Sequence, residues 1–129
     1  MKLAMKIGGF GVVILIIGYF ALRFWIGTSV EDHIAIAKAL FPGTSEDALI
    51  EMLQDESVSI NDKTHVAIWT LGQIQSEKAL PILKELYNDD PEGETCYGKH
   101  DKFICQYEIY KAIEAIEGKM LFSFAYLNK

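Results

Sequence analysis

His65-Val66-Ala67-Ile68-Trp69-Thr70-Leu71-Gly72-Gln73-Ile74, followed after a short gap by Ala79-Leu80-Pro81-Ile82-Leu83, is the stretch that settles the architecture. Apolar residues recur in it every three or four positions, the period of a helix with one buried face. Gly72 lets that helix press closely on a neighbour, at a cost of about 1 kcal/mol in helix propensity. Pro81 falls early in the second helix, where a missing N–H is tolerated.

Working outward, Ser45-Glu46-Asp47-Ala48-Leu49 returns as Ser76-Glu77-Lys78-Ala79-Leu80, an offset of 31 residues. The same offset carries Ile36 onto Ala67 and Leu40 onto Leu71. The next unit matches only at an offset of 42, Leu71 onto Ile113 and Ile74 onto Ile116, so the extra residues fall in the Asn88–His100 segment. Self-similarity at such a period marks stacked supersecondary units. Periodicity predicts five helices, at about 30–41, 45–55, 61–75, 77–88 and 102–117. Their starts are read from Ser29 with Asp32, Thr44 with Asp47, Asn61 and Ser76, and their stops from Pro42-Gly43 and Gly118. Ile36, Ala37, Leu40 and Phe41 read as one buried face, as do Leu49, Met52 and Leu53. No strand alternation stands out, except in Met120–Leu127.

The quoted stretch resembles a HEAT-like repeat of the kind first noted in phycobilisome lyases, whose two helices commonly read A-x-x-A-L-G-x-I and A-L-P-x-L. The likeness is closest over 61–88, partial over 31–55 and 103–118, and absent elsewhere. That family commonly carries an arginine early in the first helix, where this chain has His65. The resemblance implies an all-α fold, a short α-solenoid of about two and a half helical hairpins over 29–129, with an inserted loop at 88–102. Leu71, Gly72, Ile74, Leu80 and Leu83 are its expected packing residues.

Ahead of the repeats, Ile7 to Leu22 is uninterruptedly apolar, and Phe24, Trp25 and Ile26 extend it. Twenty such residues rise about 30 Å as a helix, the thickness of a bilayer core. Arg23 is placed to snorkel, and Tyr19, Phe20, Phe24 and Trp25 supply interfacial rings. Residues 1–28 therefore read as a cytoplasmic tip and a single transmembrane helix. No small-residue cleavage site follows the apolar run, which favours a retained anchor over the alternative, a cleaved signal peptide. Lys2 and Lys6 precede the span while Glu31 and Asp32 follow it, so the positive-inside rule keeps the N-terminus in the cytoplasm and sends the body across, to the periplasm or cell exterior. Ala4, Gly8, Gly11 and Gly18 fall along one helical face, where another membrane helix can approach.

Charge and chemistry narrow the function. Residues 24–129 hold 9 lysines against all 18 acids, which is wrong for a nucleic-acid surface. Cys96 and Cys105 lack zinc spacing; beyond the membrane they read as a disulfide, the alternative being two free thiols. Asn88 to Glu94 fits a calcium loop up to Gly93, but the bidentate position falls on Lys99. His33, His65 and His100 lack metal spacing, and none is followed by the glutamate that HEAT-like hydroxylases use. No nucleophile, phosphate or dinucleotide motif is present, so neither an enzyme nor a cofactor is expected. The expected partners are other proteins, chiefly subunits of a membrane complex. Phe122, Phe124, Tyr126 and Leu127 either fold back as a cap or serve as a docking surface.

Overall fold

The computed structural model describes residues 2–98 and 102–119, with side chains from Gly11 onward. All regular structure among the described residues is helical. The first helix, α1, runs unbroken over Lys2–Leu40, about 58 Å at 1.5 Å per residue. The expected helix start at Ser29 is therefore absent. The Ser29 hydroxyl donates to the Trp25 carbonyl at 3.0 Å and Thr28 to the same oxygen at 2.9 Å, so both act inside the helix rather than as caps. Nothing between Ile26 and Val30 is a proline, and one glycine does not stop a helix supported on both sides.

Pro42-Gly43 ends α1, and α2 (Ser45–Gln54) starts at Thr44, whose hydroxyl accepts the Asp47 N–H at 3.2 Å. The third helix, α3 (60–73), is capped by Ser59 and not by Asn61; Ser59 Oγ accepts the Asp62 N–H at 3.1 Å. Within α3, Lys63–Ile68 winds as a π-helix, Trp69 N–H reaching back to the Thr64 carbonyl, before α geometry returns over Trp69–Gln73. The Thr64 hydroxyl bonds the Ile60 carbonyl at 2.8 Å at the start of this widened turn. Five of the six π residues are buried, so α3 is enclosed on more than one side.

Gln75 takes the left-handed conformation that closes α3 (φ 52°), with Ser76 N–H on the Leu71 carbonyl at 3.0 Å. Ser76 then caps a 3₁₀ turn, Glu77–Ala79, that leads into Leu80–Leu86; together these form α4 (77–86). A longer connection carries one more 3₁₀ turn, Glu94–Cys96, before α5, Gln106–Ile116. Helix α5 starts four residues later than its periodicity suggested, because Cys105 is held outside it by a bond to Cys96.

One core joins all five helices. Ala37 comes from α1; Ala48, Leu49, Met52 and Leu53 from α2; Val66, Ala67, Ile68 and Leu71 from α3; Ala79 and Leu83 from α4; Ile109, Ala112 and Ile113 from α5. Helix α3 lies at its centre, with α1 and α2 on one side and α5 on the other. Gly72 is what allows the last contact: a Cβ built there would stand 3.0 Å from Ala112 Cα. Of the expected packing residues, Leu71, Gly72 and Leu83 are buried, while Ile74 and Leu80 are half-buried against the core.

Candidate functional site

Three surfaces stand out among the described residues. The first is the N-terminal part of α1. From Val12 to Trp25 its apolar side chains are exposed, Leu15 at 73% and Phe24 at 75%. This helix is long and apolar enough to cross a membrane, a property that a signal sequence near an N-terminus shares. Gly11 and Gly18 have nothing within 4 Å of where a Cβ would sit, so both lie open. The side chains around Ala4 and Gly8 lie outside the described residues.

The second surface is on the last three turns of the same helix. Ala37 is buried and Phe41 half-buried, as read from the sequence, but Ile36 (47% exposed) and Leu40 (59%) are not. They turn outward together with Ala35 and Ala39. At the repeat offset these four positions correspond to Val66, Ala67, Thr70 and Leu71 of α3, all of them buried. The physical reason is positional. Helix α3 packs against both α1 and α2, whereas among the described residues no helix covers the matching face of α1. Helix α1 is fastened to α3 elsewhere, through His33 Nδ1 and Thr70 Oγ1 at 2.9 Å and the His33 ring set edge-on to Trp69 at 5.2 Å. Sequence reading missed this contact because a lone histidine at helical spacing carries no signal of its partner.

The third surface surrounds the Cys96–Cys105 disulfide, with the two Cα atoms 5.1 Å apart. Gly93 sits in the left-handed region (φ 68°) close over Tyr107: a Cβ there would fall 2.7 Å from Tyr107 Cβ. Asp90 Oδ1 accepts the Glu94 N–H at 3.0 Å, so one carboxylate of the acidic loop serves the loop itself. Tyr97 (78% exposed), Phe103 (59%) and Tyr107 (42%) cluster in this part of the sequence, a set of exposed rings that periodicity did not single out. Glu92, Gly93, Cys96, Tyr97, Cys105 and Tyr107 line a shallow groove of about 370 Å³. Gln106 joins the loop to the helices: its Oε1 accepts the Asn88 N–H at 2.7 Å and its Nε2 donates to the Leu86 carbonyl at 3.2 Å, completing the end of α4.

Ion pairs tie the units together at the surface. Lys78 pairs with Asp47, residues that occupy the same position in successive repeats, and holds the Asp47 carboxyl below the usual carboxylate range with help from Thr44. Lys119 and Lys84 both bond Glu117, the latter at 2.5 Å, and draw its carboxyl down to about 2. No cluster of three metal-ligating side chains occurs among the described residues. His100 and the tail residues Phe122, Phe124, Tyr126 and Leu127 lie outside them, as does the Met120–Leu127 alternation.

A likeness to a known repeat family can be placed on this geometry. A family model described as the PBS lyase HEAT-like repeat matches residues 65–89, which span most of α3 and all of α4. No curated protein and no solved structure matches the chain. The regular structure of the described residues is thus all helical, with a HEAT-like repeat at residues 65–89 and a long apolar helix ahead of it.

Proposed function

We propose that the chain is a membrane-anchored helical-repeat protein that binds other proteins, and more concretely an accessory or assembly subunit of a larger membrane complex. In this reading residues 7–26 span the bilayer with the N-terminus in the cytoplasm, and the acidic body lies on the far side as a solenoid of two and a half hairpins. The observation that carries it is the bare face of α1: Ala35, Ile36, Ala39 and Leu40 are exposed where their repeat counterparts in α3 are covered. A repeat stack needs its ends capped, and an apolar end without a polar cap is a place for a partner to complete the stack. Anchoring would add to the affinity by confining both proteins to one membrane, which raises their effective concentration.

The test places a photo-activated crosslinking residue at Ile36 or at Leu40, with Lys38 on the other side of the same helix as control, in the native membrane. Discrete adducts to one identified membrane protein are expected from positions 36 and 40 and not from 38. Adducts from all three positions alike, or from none, would sink the docking face. Intact mass and resistance to alkaline extraction decide the anchor separately. Loss of the first two dozen or so residues would leave the alternative reading, a released periplasmic binding protein.

A further inference from the structure

The groove beside the disulfide has a composition that selects its ligand. Two tyrosines, Tyr97 and Tyr107, line it together with Glu92, Gly93 and the two cysteines. Aromatic faces carry negative potential and attract cations, more so beside a carboxylate. The molecule supplies its own example: Lys111 Nζ lies 5.0 Å from the centroid of the Tyr107 ring, with Glu108 at 3.7 Å from the same ammonium. The surroundings have the same sign. The described residues of 88–105 hold four carboxylates against one lysine, and the whole body after Arg23 is strongly acidic.

We propose that this groove seats a cationic side chain, arginine or lysine, of a basic segment of a partner protein, with the Tyr97 ring and the Glu92 carboxylate as its contacts. Unlike Tyr107, Tyr97 carries no lysine of this chain over its ring among the described contacts. The proposal refines the protein-binding reading by naming the chemistry of a partner, but it concerns a surface separate from α1 and holds whether or not α1 is retained in a membrane. Its lining comes from within the insertion, Gly93 to Tyr97, and from the residues that follow it, Cys105 to Tyr107, and the disulfide is the covalent link between them. The disulfide thereby fixes the spacing of the groove. The insertion that interrupts the repeat, otherwise a mere break in periodicity, becomes the element that builds a recognition site.

The full chain in lipid nanodiscs is titrated with a capped tetra-arginine peptide and with its tetra-citrulline counterpart, which has nearly the same shape and no charge. Binding of the arginine peptide is read from the tyrosine ring resonances, and the citrulline peptide is expected to leave them unmoved. Tyr97→Ala, at a position too exposed to disturb folding, should weaken binding about two- to fivefold with no change of charge, the size of one exposed cation–ring contact. Glu92→Gln should weaken it more than Glu51→Gln, an exposed acid on α2. Equal binding by wild type and Tyr97→Ala, or equal losses for the two glutamates, would overturn the proposal and leave only general attraction to an acidic body. So would no binding of tetra-arginine at all. None of these results bears on crosslinking from Ile36 and Leu40.

Discussion

Helices α1 and α3 hold the same place in successive repeats and meet opposite surroundings. In α3 the sequence Val66-Ala67 and Thr70-Leu71 is buried, while in α1 the matching Ala35-Ile36 and Ala39-Leu40 is open to solvent. The local sequences are similarly apolar and similarly helical. What differs is the number of neighbours: α3 has helices on two sides and α1 on one. Repeat position therefore fixes which way a side chain points, and only the presence of an adjoining unit decides whether that direction is interior.

That contrast is open to attack by substitution, with reversible unfolding of the full chain in detergent, followed by circular dichroism, as the measurement. Leu71→Ala removes a fully buried side chain from the centre and should cost about 2–5 kcal/mol. A loss below 1 kcal/mol would show that α3 is less enclosed than its burial indicates. Replacing Cys96 and Cys105 together by serine releases the connection to α5, the neighbour of α3 on its other side. The expected loss is about 2.5–3 kcal/mol in the chain-entropy view. Gly72→Ala gains helix propensity but forces α5 away from α3 at Ala112, for a net loss of about 1–2 kcal/mol. The repeat position of Leu40 predicts the reverse of Leu71: Leu40→Ala should change stability by less than about 0.5 kcal/mol while abolishing the crosslink expected from that face.

Acid offers a gentler probe of the α5 side. Glu117 is held near a pKa of about 2, against 4.5 ordinarily, by Lys119 and Lys84. A carboxyl depressed in the folded state stabilises it above the unfolded pKa, and that contribution disappears as pH falls through the folded value. Stability should therefore decline between about pH 4.5 and pH 2. Glu117→Gln should flatten that decline, and added salt should reduce it because the group is near solvent.

Much of the fold was legible because helical period, caps and the 31-residue offset all concern neighbours in sequence. Thr44 and Ser76 cap the helices that their sequence signatures announced, and Gly118 ends α5 in the left-handed region (φ 70°). The departures have physical causes of another kind. Ser29 resembles a cap, yet its hydroxyl finds a carbonyl four residues back in a continuing helix. The π turn at Lys63–Ile68 inserts a residue into the period and spreads burial over several faces, which a fixed 3.6-residue pattern cannot register. The surfaces were the least legible. Exposure of Ile36 and Leu40 depends on no described helix covering that face of α1, and the groove at Tyr97 and Tyr107 depends on a crosslink between positions nine residues apart. Neither is written in local periodicity. The pairing of Cys96 with Cys105 was readable from redox context, but not what it would build.

The continuity of α1 carries a mechanical consequence. The same rod whose first half is greasy forms the first helix of the folded body, with no joint between the two. A tilt of ten degrees at one end of a rod this long displaces the other by about 10 Å. Torque or lean imposed on the apolar end would thus reach the body undiminished, and the direction in which the body faces would be set by the rotation of its own foot.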